Sequence, residues 1–360
     1  MREERVKGNE LIDVLKVVAP GTPLREGLES ILRAKTGALI VVGDSAQVMN
    51  LVDGGFTINK DYAPTYLYEL AKMDGAIILS RDAKKILFAN TQLIPDPSIS
   101  TMETGTRHRT ADRVARQTGE LVISISQRRN IITLYKGQNR YILNDTGRIL
   151  TRANQALQAL EKYKVVLDSA MTNLSVLEFE DMVTLYDVII AIQRAEMVMR
   201  IAFEIDKYIC ELGNEGRLVS MQLEELVNHT EEDEVLVIQD YFVPLEGKTA
   251  DDVLKQVRLS SQEDLLDLTF LCRSLGYYGG MSILDASVFP RGYRMLSKVP
   301  RVPMSVVSNL VSRFENFQGI LRASIGELDD VEGIGEIRAR TIKESLRRIQ
   351  DQLLMDNRRI

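Results

Sequence analysis

The residue types with the most chemical potential in this 360-residue chain sit in two short segments. The first is Gly105-Thr106-Arg107-His108-Arg109-Thr110, directly ahead of an amphipathic stretch. The inward stripe of that stretch is Ala111, Val114, Ala115 and Thr118, and its stop signal is Gly119. Two arginines at the start of a helix oppose its dipole, which favours anions at that end. The arrangement makes sense around a phosphate, held by guanidinium forks, threonine hydroxyls and free helix N–H groups. Two surface arginines lying along their own stems would look the same in sequence. His108 reads either as part of this cradle or as a hydrogen-bonded structural imidazole. With no ligand-type partner near it in sequence, it is not read as a metal ligand.

The second segment is Asp74-Gly75-Ala76, where a helical pattern hands over to the apolar run AIIL. A carboxylate at a strand edge beside a phosphate site can hold Mg²⁺ or Mn²⁺ and accept a proton from an attacking hydroxyl. A nearby arginine pair would keep it ionised. The same Asp-Gly dipeptide is also an ordinary turn signal. Ser126, Arg128 and Arg129 close the run LVISIS at a turn, offering further phosphate ligands or simply a polar, exposed hairpin.

A third feature lies near the C-terminus. Val331-Glu332-Gly333-Ile334-Gly335 sits between two helical patterns, and Ala339, Ile342, Leu346 and Ile349 form the buried face of the second. An apolar–x–Gly–apolar–Gly turn followed by a helix is the helix-hairpin-helix signature. Glycines let the turn approach a phosphate closely, and the helix N-terminus offers free N–H groups. Arg338, Arg340, Lys343, Arg347 and Arg348 follow, which suits contacts that position a duplex without reading its bases. A tight turn used only for packing is the competing reading. Upstream, Val299-Pro300-Arg301-Val302-Pro303 reads as a degenerate first hairpin of a tandem pair, with prolines where glycines are expected. Two decoys fail. A dinucleotide fingerprint would need glycine at Arg338 and a strand before the turn, and a P-loop ending at Gly247-Lys248-Thr249 would need glycine at Phe242.

The elements that must position these residues fall into three zones. From about residue 8 to 146, helical patterns (Leu11–Ala19, Leu24–Ala34, Ala63–Lys72, Thr110–Thr118) alternate with six short β-branched runs: Ala38–Val42, Ala76–Leu79, Lys85–Ala89, Leu121–Ser126, Asn130–Tyr135 and Arg140–Leu143. This predicts a mixed sheet covered by helices, its last three strands an antiparallel meander. Residues 147–285 predict a helical spine, with no proline from Arg148 to Phe242 and no chemistry apparent in it. Residues 286–360 hold the hairpin zone. The expected fold class is therefore multidomain, α/β plus all-α.

Composition narrows the classes further. Hydrophobic residues make up 45% and charged residues 27%, with 9 prolines, which argues against long disorder or low complexity. No apolar run approaches the roughly 18 residues of a membrane span, and no apolar segment follows the charged N-terminus as a signal peptide would require. Two cysteines, Cys210 and Cys272, cannot make a disulfide framework, and two histidines, His108 and His229, exclude most zinc-enzyme constellations. The net charge of −6 hides a basic C-terminal end, with 13 Lys/Arg against 9 Asp/Glu from Ala286 onward. Such a module suits phosphate contacts, although a solvated basic face has the same composition.

Asp74–Ala76 together with Gly105–Ala111 in one α/β domain resembles the diadenylate cyclase family. The helical spacer and C-terminal hairpin module look like the branch of that family that joins a cyclase to a DNA-binding end. The hairpin zone itself is similar to helix-hairpin-helix domains of DNA repair and junction-binding proteins. The resemblance covers essentially the whole chain, without the N-terminal membrane helices of other cyclases. It implies a nucleotidyltransferase that condenses two ATP into cyclic di-3′,5′-AMP with release of two pyrophosphates, coupled to sensing branched or damaged DNA as an integrity checkpoint.

The same resemblance implies roles for residues. Asp74, Arg107, His108 and Arg109 would be catalytic, with Asp74 holding Mg²⁺ or Mn²⁺ and helping to activate a ribose 3′-hydroxyl. Gly75 and Leu93, in Thr91-Gln92-Leu93, would line the adenosine pocket through backbone contacts. Thr106, Arg107, His108, Arg109 and Thr110 would hold the triphosphate, with Ser126 and Arg129 adding to it. Gly333, Gly335, Arg338, Arg340 and Lys343 would meet DNA. A product with two-fold symmetry implies cyclase domains face to face, in an octamer by resemblance, and a cytoplasmic, nucleoid-associated protein. The alternative is a non-enzymatic scaffold for DNA junctions whose N-terminal domain binds nucleotide only to control assembly.

Overall fold

A computed structural model describes residues 13–244 and 247–357. These fall into two compact units, one of residues up to 154 together with Asp206–Ser220, the other of Gln155–Ile205 with the chain from Met221 onward.

The first unit is built on one mixed sheet of strands β1 (Ala38–Val42), β2 (Val52–Asp53), β3 (Phe56–Asp61), β4 (Ala76–Leu79), β5 (Lys85–Leu93), β6 (Leu121–Ser126), β7 (Ile131–Lys136) and β8 (Asn139–Ile142). The order is β2-β5-β4-β1-β6-β7-β8, with β3 also pairing β5. Only β1 and β4 run parallel; β6, β7 and β8 form the expected meander. Helices α1 (Pro23–Arg33), α2 (Ala46–Met49), α3 (Pro64–Leu70) and α4 (Thr106–Thr118) cover it. Residues 13–17 are helical as well, while the first two residues of the helix expected over Leu11–Ala19 lie outside the described residues.

Every residue of β1 is buried, because alternate side chains enter different cores. Ile40 and Val42 pack with Leu24, Leu28 and Ile31 of α1, whereas Leu39 and Val41 pack with Ala111, Val114 and Ala115 of α4. Thr22 caps α1 by accepting from Arg25 N at 3.2 Å, and Pro23 occupies the position where a missing N–H costs nothing.

Two strands exceed the sequence expectation. β3, FTINKD, is exposed on almost every residue, so it carries none of the apolar alternation that marks a half-buried strand. β2 is two residues long. β5 runs on through Thr91-Gln92-Leu93 rather than stopping at Ala89. The chain also returns to this unit late: Glu211, 3% exposed, accepts from Tyr141 Oη at 2.5 Å and from Asn144 N at 3.2 Å.

The second unit is helical, as expected, and carries more than apolar stripes. Arg294 and Glu178 are both fully buried and paired at 2.7 Å, and Asp240 accepts from the backbone N–H groups of Gly292, Tyr293 and Arg294 at 2.6–3.0 Å. That carboxylate occupies the uncapped N-terminus of the helix Tyr293–Ser297. The hairpin zone holds two helical hairpins around one core of Leu296, Val299, Val307, Leu310, Leu328, Val331 and Ile342. Tyr293–Ser297 turns into Met304–Phe314, and Ile325–Asp329 turns into Glu336–Asn357. Arg301 in the first turn and Gly333 in the second take the same left-handed conformation, at φ 64° and 85°.

Candidate nucleotide site

Strand register gathers the candidate residues along one edge of the sheet. Leu39 pairs with Ala76 in the parallel β1–β4 ladder, so Gly37 and Asp74 each lie two residues before that pair, at the same end of the two strands. Ala38 pairs with Ile125, which puts Ser126 on the other flank of Gly37, and Ala76 pairs with Thr91 on β5. Thr91 Oγ1 donates to Ala76 O at 3.2 Å. Asp74, Gly75, the TQL segment and Ser126 therefore share one line although 52 positions separate the outermost.

The cradle segment enters from above. The helix α4 starts at Thr106, four residues before the sequence expectation, so Thr106–Thr110 form its first turn rather than a loop ahead of it. Gly105 occupies the cap position without a side-chain cap, and the first turn holds no acidic residue. An uncapped N-terminus bearing cations is unfavourable unless an anion joins it. Arg107 Nη2 lies 3.8 Å from Asp74 Oδ1, so the two motifs meet. The Asp74 side chain is otherwise fully exposed, open to an incoming ligand. Arg109 is exposed, as are Thr106 and Arg129. Ser126 Oγ accepts from Arg129 N at 3.3 Å, which holds the turn after β6.

Gly75 adopts φ 93° with its backbone against β5: a Cβ there would meet Asn90 C and Thr91 O at 2.8 Å. Leu93 is 7% exposed, and its side chain packs with Ala76, Ile78 and Val114 in the core. Its side chain is therefore committed to the core, and only its backbone lies along the candidate edge.

Four residues of the site were not legible as such in the sequence. Gly37 makes room for Arg107, since a Cβ at this position would stand 2.1 Å from its Nη1. A glycine opening a strand is the signal for close approach, but not for what approaches. Glu103, Tyr135 and Arg140 form a chain to His108: Arg140 Nε to Glu103 Oε1 at 2.9 Å, Tyr135 Oη to the same oxygen at 2.9 Å, and His108 Nδ1 to Tyr135 Oη at 2.9 Å. Burial lowers the His108 pKa, with Glu103 opposing and Arg129 and Arg140 assisting.

No group of three or more His, Cys, Asp or Glu positioned to hold a metal exists among the described residues. A lone exposed carboxylate beside an anion cradle fits an Mg²⁺-type ion, which keeps waters and shares its ligands with substrate phosphates.

In the hairpin zone, Gly333 makes the turn and Gly335 precedes the helix, accepting from Ala339 N at 2.9 Å. Arg338 donates to Gly333 O, Arg340 pairs with Glu336 at 2.6 Å, and Lys343 Nζ donates to Leu321 O at 2.6 Å. Lys343 is thus turned toward a helix C-terminus. A cleft of about 880 Å³ is lined by Pro300 and Arg301 of the first turn, by Gly335 of the second, and by Glu336, Ile337, Arg338 and Thr341 at the start of the helix that follows.

The sheet unit matches, over residues 25–140, the family described as DisA bacterial checkpoint controller nucleotide-binding, and residues 143–284 match the DisA bacterial checkpoint controller linker region. The chain is thus a multidomain protein built on a nucleotide-binding domain of the checkpoint-controller class. Along nearly its whole length it is similar to proteins named DNA integrity scanning protein DisA: 58% identical over 99% of both chains for Acetivibrio thermocellus, and 59% over 99% of this chain and 100% of the relative for Clostridium kluyveri. The Carboxydothermus hydrogenoformans protein of that name is 60% identical over 96% of this chain. The chain belongs to the DNA integrity scanning protein DisA family. No helix among the described residues is long and apolar enough to cross a membrane.

Proposed function

We propose that this protein is a nucleotidyltransferase that condenses two ATP into cyclic di-3′,5′-AMP with release of two pyrophosphates, and that DNA engages its hairpin zone. The observation that carries the reading is the strand register that sets Asp74, Gly75, Gly37 and Ser126 on one edge, with Arg107 reaching 3.8 Å from Asp74. Family membership supports the nucleotide and the DNA parts alike.

Arg107, Arg109 and Arg129 supply positive charge for a triphosphate, and the uncapped turn of α4 supplies N–H donors and the positive end of a dipole. Each phosphodiester forms when the 3′-oxygen of one ATP attacks the α-phosphorus of the other and pyrophosphate leaves. Phosphoryl chemistry of this kind is served mainly by positioning and charge neutralisation, which a cradle and one carboxylate provide. Asp74 is placed to receive the proton of the attacking hydroxyl or to orient it. A divalent ion, Mg²⁺ or Mn²⁺, held by Asp74 and the triphosphate would stabilise charge on the phosphate oxygens. One chain carries one set of these residues, so two copies must face each other to close the symmetric ring. An octamer is the assembly inherited from the family resemblance.

In the hairpin zone, Arg301 and Arg338 at the cleft would supply counter-charges for the phosphates of a branched or junction duplex, and Arg340 would join them on leaving Glu336.

Purified protein with ATP and Mg²⁺ or Mn²⁺, products read by mass spectrometry beside Asp74→Asn, tests the chemistry. Cyclic di-AMP from the wild type alone is expected. ATP bound but never converted under either metal would leave a nucleotide-controlled DNA scaffold instead. Junction DNA titrated into the same assay is expected to change the cyclisation rate while leaving ATP affinity within about threefold; an unchanged rate at saturation would remove the coupling.

A further inference from the structure

The chain of contacts behind His108 fixes where its proton sits. Glu103 Oε1 is shared by Arg140 Nε and Tyr135 Oη, each at 2.9 Å. A carboxylate paired with a guanidinium only accepts, so the single phenol proton points to Glu103. Burial first, then the hydrogen bond and charge of Glu103, raise the Tyr135 pKa and keep that proton in place. The phenol oxygen has only lone pairs left for His108 Nδ1, 2.9 Å away, and Nδ1 must donate.

A second imidazole proton is disfavoured first by burial of the ring and then by Arg129 and Arg140, which together outweigh the opposing Glu103 carboxylate. With its one proton on Nδ1, the ring presents a bare lone pair at Nε2. That atom is shielded from solvent and has no hydrogen-bond partner among the described residues. A buried acceptor of this kind calls for a donor. Phosphate oxygens at neutral pH offer none, whereas ribose hydroxyls and the adenine amino group do.

Resting on the nucleotide reading above, we infer that Tyr135, Glu103 and Arg140 are positioning residues that hold His108 protonated at Nδ1 alone, so that Nε2 accepts a hydrogen bond from an O–H or N–H of the nucleotide. His108 then differs in kind from its neighbours Arg107 and Arg109. It adds no charge to the cradle and donates nothing to phosphate; it recognises the nucleoside.

The test uses the full chain labelled with ¹⁵N-histidine, in an Asp74→Asn background so that bound ATP persists. With only two histidines, His108 and the exposed His229, long-range ¹H–¹⁵N correlations report each ring nitrogen separately. The expected spectrum shows His108 protonated at Nδ1 only, and addition of ATP with Mg²⁺ moves the Nε2 resonance while Nδ1 keeps its proton. Tyr135→Phe in the same background should lose the Nδ1 preference and populate the Nε2–H form. Glu103→Gln, which still offers Tyr135 an acceptor oxygen, should retain the preference. In the otherwise wild-type chain, Tyr135→Phe should lower kcat/KM for ATP about tenfold, the usual worth of one hydrogen bond. A wild-type ring protonated at Nε2, a tautomer unchanged by Tyr135→Phe, or an Nε2 resonance unmoved by bound ATP would each overturn the inference. Failure of ATP to bind would overturn the nucleotide reading and the role given to Nε2, while the tautomer in the free protein still decides the relay.

Discussion

Replacing Gly37 with alanine should separate activity from stability. The new Cβ would stand 2.1 Å from Arg107 Nη1 and 3.1 Å from Ile125 O. Ordinary contact begins near 3.4 Å, so the guanidinium must withdraw by at least about 1.3 Å, while the carbonyl need give only about 0.3 Å. Arg107 is a flexible side chain and half-exposed, so its retreat costs little folding energy. Gly37 is not among the glycines with positive φ, which means alanine fits the backbone and stiffens the unfolded chain by about 0.4–1 kcal/mol. The two effects leave stability within about 1 kcal/mol of wild type, or a Tm shift of no more than about 4 °C. Catalysis is less forgiving: a misplacement of about 1 Å in a positioning group can lower the rate about 100-fold. Initial rates of cyclic di-AMP formation by liquid chromatography, beside a thermal melt, check both halves. Undiminished kcat/KM in a folded variant would refute the claim that Gly37 exists to seat Arg107, and a melt lowered by about 10 °C would show that the clash falls on the sheet instead.

Gly75→Ala meets backbone on both sides and a φ of 93°, so it should destabilise the sheet unit by about 2–4 kcal/mol, read as a lower urea midpoint rather than a selective loss of turnover. Arg301→Gly should relieve about 1 kcal/mol of left-handed strain and raise the melting point, yet weaken junction binding and shorten its salt slope; unchanged affinity would exclude the first turn from the DNA face. The Glu234 carboxyl is pushed up from 4.5 to about 8, by burial first and by Glu196 next. Its folded pKa exceeds its unfolded one, so the stability it confers is full below about pH 4.5 and lost as pH rises through about 8. Glu234→Gln should therefore gain on the wild type by on the order of 5 kcal/mol at pH 8–9 relative to pH 4.5 in urea melts, and parallel pH profiles would contradict that shift.

The parts of the molecule that sequence revealed are those with a local signal. β1, β4 and β6 are continuous β-branched runs bounded by turns, and Gly119 ended α4 where a left-handed glycine should. The helix α4 begins four residues earlier than the apolar pattern predicts because Arg107 and Arg109 are poor first-turn residues by the dipole rule. β3 was missed because an exposed strand has no face to hide. The adjacency of Asp74 and Ser126 is a matter of register between distant strands, which no spacing rule carries. Glu103, Tyr135 and Arg140 escaped for the same reason, since their link to His108 crosses 5 to 32 positions. The buried Arg294–Glu178 pair joins positions 116 apart, a contact that no local pattern around either residue announces. Prolines in Val299–Pro303 obscured a turn whose left-handed Arg301 follows the same path as Gly333.

The return of Asp206–Ser220 to the sheet unit has a consequence for biosynthesis. When β8 leaves the ribosome, Tyr141 and Asn144 still lack Glu211, and the turn at Pro20-Gly21 still lacks Asn214, whose N–H donates to Pro20 O at 3.3 Å. At elongation rates of about 5–20 residues per second, these partners arrive several seconds after the last strand. The nascent sheet spends that interval with one flank unfinished. Glu211 stands at the far end of the helix Leu185–Leu212, so that whole helix must be translated before these bonds to the sheet unit can form.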